Sequence, residues 1–258
     1  MLIRLVTVYA GCTGLPDGKE KMSELNRYSM ITQKNPREII LLRGNGCKWR
    51  RCRFCDYYLD YSRDEEENYN LNKAEIEKVT GVYGTLEVIN SGSFTDLDDR
   101  TMQAVLNKCL EKKIGQLHFE CHWMHRDKIR DIKSLFIQHG ITVKIKIGVE
   151  TFDALFRESY LDKGITADTP EEIAAYYDEC CLLFGIPGQN AATMEQDILT
   201  GLKYFERVCI NIMNENSKPI KPAPAVIREF VNELLPIYLD NSRIDILIEN
   251  TDFGVGDK

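Results

Sequence analysis

Cys47, Cys52 and Cys55 fall within nine residues, separated by four and then two positions, directly after the glycine-punctuated stretch Gly44-Asn45-Gly46. Three thiolates on one loop can hold three irons of a 4Fe-4S cluster and leave the fourth iron open to a ligand that is not protein. An open iron is a reactive one. Arg50, Arg51 and Arg53 flank the thiols, and adjacent positive charge is expected to lower their pKa values and offset the charge of a thiolate cluster. The competing reading is a structural zinc site in an interaction module. Such a site wants a fourth Cys or His and usually shows paired Cys-x-x-Cys steps, whereas only Cys52 to Cys55 is spaced that way.

The rest of the chain must position this loop. At 258 residues, 43% hydrophobic and 28% charged, the composition is that of an ordinary globular protein, and the length suits one α/β domain over residues 1–258 with a core of about 39–213. Nine cysteines are many, and their odd number argues against a closed set of disulfides. The scattered ones (Cys12, Cys109, Cys121, Cys180, Cys181, Cys209) lie largely in apolar runs, where a free thiol packs as a small hydrophobe. A net charge of -7 repels polyanions, so nucleic acid and anionic membrane are poor partners. No apolar run approaches the ~20 residues that cross a bilayer, and Met1 to Val8 is too short and too charged for a secretion signal. The expected location is cytoplasmic.

Short apolar runs alternate with amphipathic stretches, the mark of βα units on a parallel sheet. Strands are expected at Ile39 to Leu42, Leu86 to Ile89, Gln116 to Cys121, Thr142 to Ile147, Glu179 to Phe184 and Val208 to Met213, with possible additions at Leu2 to Val8 and Ile244 to Ile248. Helices are expected from Asn72 (capped by Asn70 or Asn72), Asp98, Arg126, near Phe152, Thr193 and after Pro224, with Asp60 to Glu67 as an exposed acidic excursion. Six βα units are too few for a closed eightfold barrel. The expected fold is α/β, a partial (β/α)6 TIM-like barrel open on one side, with its chemistry beyond the C-terminal strand ends. Asn90, Glu120, Glu150, Asn214 and Glu215 follow such ends, although caps and loop carboxylates also collect there.

The run Gly46-Cys47-Lys48-Trp49-Arg50-Arg51-Cys52-Arg53-Phe54-Cys55-Asp56-Tyr57, placed after the first strand, resembles the cluster loop of the radical S-adenosylmethionine superfamily, with one residue more than usual between its first two cysteines. The resemblance runs over about 39–213. It implies a 4Fe-4S cluster on Cys47, Cys52 and Cys55 and S-adenosyl-L-methionine beside it, with Phe54 and Tyr57 near the adenine. It further implies that Asn90-Ser91-Gly92-Ser93 holds the methionine amino group, Glu150 the ribose and Arg157 the methionine carboxylate, while Gly185-Ile186-Pro187-Gly188 packs on adenine. A flavodoxin- or ferredoxin-type electron donor is implied as well.

Within the superfamily, size and cysteine spacing resemble enzymes that break the C-N bond of queuine and release 7-aminomethyl-7-deazaguanine. Another small molecule, a peptide or a tRNA is the alternative substrate, and neither an extra domain nor a basic tail speaks for the last two. A deazaguanine offers N-H donors, so its pocket should hold a carboxylate and a flat face. Glu120, Glu215 and Asp252 are the candidate carboxylates, and Tyr57, Tyr58, Phe94 and Trp123 the candidate faces. His122 would bond the diol or serve as a satisfied loop histidine.

Overall fold

The computed structural model describes residues 25–248. The strand expected at Leu2 to Val8, Cys12 and Asp252 lie outside them. Eight strands form one sheet in sequence order: β1 (Tyr28–Ile31), β2 (Arg37–Leu42), β3 (Thr85–Asn90), β4 (Gln116–Glu120), β5 (Thr142–Glu150), β6 (Glu179–Phe184), β7 (Arg207–Ile212) and β8 (Ile244–Leu247). β1 is antiparallel to β2, and every later pair is parallel. The connecting helices are α1 (Glu65–Glu77), α2 (Asp99–Lys112), α3 (Ile129–Ile137), α4 (Pro170–Ala174), α5 (Ala191–Tyr204), α6 (Pro224–Glu229) and α7 (Leu235–Tyr238).

The sheet curls into a half barrel. β2 and β8 are six strand steps apart, about 29 Å if flat, yet Arg37 Nη2 lies 3.0 Å from an Asp245 carboxylate oxygen. The turn after β1 closes the same gap: Lys34 Nζ donates to the carbonyls of Leu239 at 2.8 Å and Asn241 at 3.0 Å, and Asn35 Nδ2 to Asp245 at 2.8 Å. The strand ladder is open and the N-terminal rim is bridged. Between sheet and helices lies the main core, with Leu42, Leu86, Val105, Phe119, Phe136, Ile145, Phe184, Ile198 and Phe230 all buried.

Four local expectations need correction. The segment Asp60 to Glu67 is no excursion. Asp60 is buried in a two-bonded pair with Arg27, at 2.7 and 3.0 Å, and α1 starts at Glu65 with Asp64 as its N-cap, accepting from Glu67 N at 3.0 Å. Three glutamates in that first turn favour the positive helix end. Asn72, expected as a cap, is buried mid-helix and bonds both the N-H and the C=O of Arg43, at 2.7 and 2.8 Å. Because Asn68 and Asn72 occupy the inward face, α1 lacks the apolar period that marks a helix. Likewise the helix expected from Arg126 begins at Ile129 after a 3-10 segment (Trp123–Lys128), and the turn after β5 is a π-helical segment at Phe156–Tyr160.

Candidate active site

The cysteine loop leaves β2 at the C-terminal rim through Gly46, whose φ of +84° suits only glycine without strain. It is then stitched to two distant loops. Trp49 Nε1 donates to Asp162 O at 2.7 Å, Arg53 N to Leu161 O at 3.0 Å and Asn216 Nδ2 to Phe54 O at 2.6 Å. Cys52 and Phe54 are buried in a second apolar cluster with Leu161, Leu183, Ile186, Met213 and Ile220. Gly92 presses on the loop from β3: a Cβ there would sit 2.9 Å from Cys47 Cα. Cys47 and Cys55 are half-buried, and all three thiols are free.

The flanking arginines do not act on the thiols as expected. Arg50 lies over Tyr61 at 4.6 Å, Arg51 over Trp49 at 4.7 Å and Arg53 over Tyr160 at 5.8 Å, on the outer side of the loop. Burial pushes the Cys52 thiol up to about 11 and the Cys55 thiol to about 12, and the cation opposing this at both is Lys163. No motif flagged Lys163. Its Nζ lies 2.6 Å from Glu150 Oε1. Glu150 itself ends β5 past a bulge with φ at +67°, a conformation costly to a non-glycine residue and concentrated at functional sites.

Among the other rim candidates, Asn90 is buried with its Nδ2 on Ser93 O at 3.0 Å and its Oδ1 without a partner. Ser91 Oγ donates to Asp60 O at 2.8 Å, and Ser93 Oγ accepts from His122 N at 2.9 Å, so both hydroxyls brace the rim. Gly188, at φ +97°, faces the edge of Phe156, where a Cβ would come within 3.0 Å. Arg157 is buried. It donates to Glu158 at 2.8 Å and to Ala167 O at 3.2 Å, which holds the 161–167 loop. His122 is likewise engaged through both ring nitrogens, Nε2 with Lys163 O at 2.8 Å and Nδ1 with Met124 N at 3.2 Å. It stacks on Trp49 with centroids 5.5 Å apart. Burial and the neighbouring Lys163 lower it to about 4, so it is neutral. The satisfied-histidine reading is the one the geometry supports.

Inside the barrel, Tyr57, Asn90, Glu120, Lys146, Cys181, Cys209 and Asn211 line a cavity of about 80 Å³. Glu120 Oε1 lies 3.5 Å from Lys146 Nζ, and burial raises the carboxyl despite that cation. Glu120 and Tyr57 thus share this cavity. Glu215 does not line it: it is exposed and pairs on the surface with Lys221 at 2.7 Å. Phe94 and Trp123 are core residues, Phe94 against Phe119 and Trp123 against Tyr177 with its Nε1 on Thr166 at 2.9 Å. Tyr58 stands over Lys218 at 4.5 Å on the loop's outer side.

Below the cavity lies a network that no motif announced. Glu87 accepts from Arg37 Nε at 2.5 Å and from Lys146. Arg207 reaches Glu179 at 2.8 Å and Asp245 at 2.9 Å, and His118 Nδ1 lies 3.1 Å from Glu179. Burial alone would raise Glu87, yet Lys146, Arg37 and Arg207 hold it well below the ordinary carboxylate range. Against the same penalty, His118 and Arg207 hold Glu179 at about 2.

Among the described residues no group of three or more His, Cys, Asp or Glu side chains is placed to hold one metal ion. The donor types on the cysteine loop suit a multi-iron group and its ligand. Three free thiols share one loop, Gly92 clears space beside Cys47, and the orphaned Asn90 Oδ1 is an acceptor in want of a donor. A half barrel carrying such a loop at its C-terminal rim resembles the radical S-adenosylmethionine enzymes. No family model matches the chain. It is 26% identical over 147 residues to an uncharacterized protein of Methanocaldococcus jannaschii, a match covering 49% of this chain and only 39% of that relative's length. A solved structure, queuine lyase from Clostridium spiroforme bound to SAM and queuine, is 41% identical with a TM-score of 0.85, covering 91% of this chain and 100% of that one. The chain belongs to the queuine lyase family.

Proposed function

We propose that the protein is a radical S-adenosylmethionine lyase that cleaves the C-N bond of queuine and releases 7-aminomethyl-7-deazaguanine. The observation that carries this is the 41% identity and 0.85 TM-score over nearly the whole chain with a queuine-bound lyase. Cys47, Cys52 and Cys55 would hold a 4Fe-4S cluster, which supplies the electron that splits S-adenosyl-L-methionine to a 5'-deoxyadenosyl radical. The residues of this chain bind, orient and exclude water around that chemistry. Asn90 Oδ1 accepts from the methionine ammonium, the rim at Ser91 to Ser93 keeps it aimed, and Glu150 takes the ribose hydroxyls. Phe54, Tyr57 and Gly188 border the adenine.

Glu120 accepts the N-H donors of the guanine-like edge, with Tyr57 as the flat face above the cavity. Lys146 holds Glu120 in place, and a site built on such bonds rejects an analogue lacking the donors, because a carboxylate is then left buried and unpaired. The electron donor would be an acidic flavodoxin or ferredoxin. Lys48, Arg50, Arg51 and Arg53, all exposed on the loop's outer side, form a basic face on a chain of net charge -7, the complement such a partner needs. No helix of the described residues is long and apolar enough to cross a membrane. The test is mass spectrometry of an anaerobic reaction with queuine, dithionite and S-adenosylmethionine. Release of 7-aminomethyl-7-deazaguanine with 5'-deoxyadenosine is expected, and intact queuine beside accumulating 5'-deoxyadenosine would overturn the substrate.

A further inference from the structure

We infer that Lys163 is a positioning residue: a fixed, buried cation that aims Glu150 and raises the reduction potential of a cluster held by the neighbouring thiols. The inference rests on the assignment of Cys47, Cys52 and Cys55 as cluster ligands. A lysine seldom lies this deep, with its side chain only 12% exposed. What keeps it there is backbone. Lys163 O is bonded by His122 Nε2 at 2.8 Å, and Lys163 N donates to Arg157 O at 3.3 Å. The next two N-H groups, of Gly164 and Ile165, bond Glu158. Gly164 lies flush against the Trp49 ring of the cysteine loop. His122 and Arg157, for which the sequence suggested direct roles, thus converge on one neighbour.

The ammonium sits 2.6 Å from Glu150 and 5.5 Å from the centre of the Phe54 ring, and Phe54 lies between Cys52 and Cys55 in the loop. The backbone on either side of Lys163 is tied to the same loop, since Gly164 abuts the Trp49 ring and Leu161 O accepts from Arg53 N at 3.0 Å. Reduction adds one negative charge to a thiolate-bound cluster. In a site of low dielectric a fixed cation favours the reduced form, and a fixed carboxylate disfavours it. The two members of the pair should therefore move the potential in opposite directions, a signature that loosened packing would not produce.

The experiment is an anaerobic redox titration of the reconstituted full chain without S-adenosylmethionine, followed by electron paramagnetic resonance, on the wild type, Lys163→Gln, Lys163→Arg and Glu150→Gln. Iron content is measured first. About four irons per wild-type chain speak to the cluster assignment alone, and the potentials speak to Lys163. The expected result is a shift to more negative potential in Lys163→Gln, a value near wild type in Lys163→Arg and a positive shift in Glu150→Gln. An unchanged potential in Lys163→Gln overturns the proposal. Should that variant not retain iron, Glu150→Gln decides, and the absence of a positive shift there overturns it equally.

Discussion

The two ends of the barrel interior solve the same problem by different means. At the C-terminal rim, position is fixed by uncharged hydrogen bonds to backbone carbonyls: the cysteine loop, the 161–167 loop and the loop at Asn216 hold one another through the Trp49 and Asn216 side chains and Arg53 N. Toward the N-terminal end, position is fixed by charge. Arg37, Lys146 and Arg207 balance Glu87, Glu179 and Asp245, each carried on a strand and nearly inaccessible. Each uncharged bond at the rim is one of several and leaves no charge behind when lost, whereas removing one member of a balanced set of buried charges strands its partners. The rim can therefore lose its chemistry and keep its fold, and the lower network should do the reverse.

The sharpest way to break that contrast is at the rim. Cys52→Ala should abolish iron binding while leaving the circular dichroism of the unloaded chain unchanged; iron retained in full would remove the cluster from this loop. In the lower network, Glu87→Ala leaves Lys146 and Arg37 without their shared carboxylate, and breaking a buried pair in this way costs about 3 to 5 kcal/mol. Urea unfolding should show that loss, with iron content per folded chain unaffected. A loss below about 1 kcal/mol would mean the network contributes little.

A pH series sharpens the comparison next. His122 is held at about 4 in the folded chain against about 6.5 unfolded. Its contribution is fully present above pH 6.5 and is lost as the pH falls toward 4, because only the unfolded chain takes up the proton. The loss amounts to up to about 3 kcal/mol. His122→Gln should flatten the pH dependence of unfolding over that window, and an unaltered slope would return the titration to another group. The smallest expected effect is at the substrate. Glu120→Gln should weaken queuine binding by roughly 1 to 3 kcal/mol, about 5- to 150-fold, with iron content intact. Unchanged affinity would move recognition elsewhere in the cavity.

What could be read from residue order follows the same division. Glu179 to Phe184 is a strand from end to end, and the cysteine loop stands after the expected strand, because apolar runs and closely spaced thiols are local signals. Glu150 and Asn90 are legible as rim positions because they close strands. Lys163 left no such mark: it lies thirteen residues past its partner, in a loop whose shape depends on Trp49 and His122. The lower network was hidden for another reason. Arg37, Glu87, Lys146, Glu179, Arg207 and Asp245 each sit in or beside an apolar run, where a charge reads as a strand end facing water. Only curling of the sheet, which brings β2 to β8, turns six such ends into one interior.

The sequential strand order also governs when the site can exist. Each strand pairs with its neighbour in the chain, so the sheet can grow as the polypeptide leaves the ribosome, N-terminal units first. The cysteine loop belongs to the first parallel unit, yet the side chains that enclose it, Leu161, Leu183, Ile186, Met213 and Ile220, come from the later ones. During synthesis the three thiols are thus made early and sheltered late. A nascent chain passes through a long interval in which these thiols stand uncovered, and the apolar enclosure of the loop is complete only once the stretch around Ile220 has emerged.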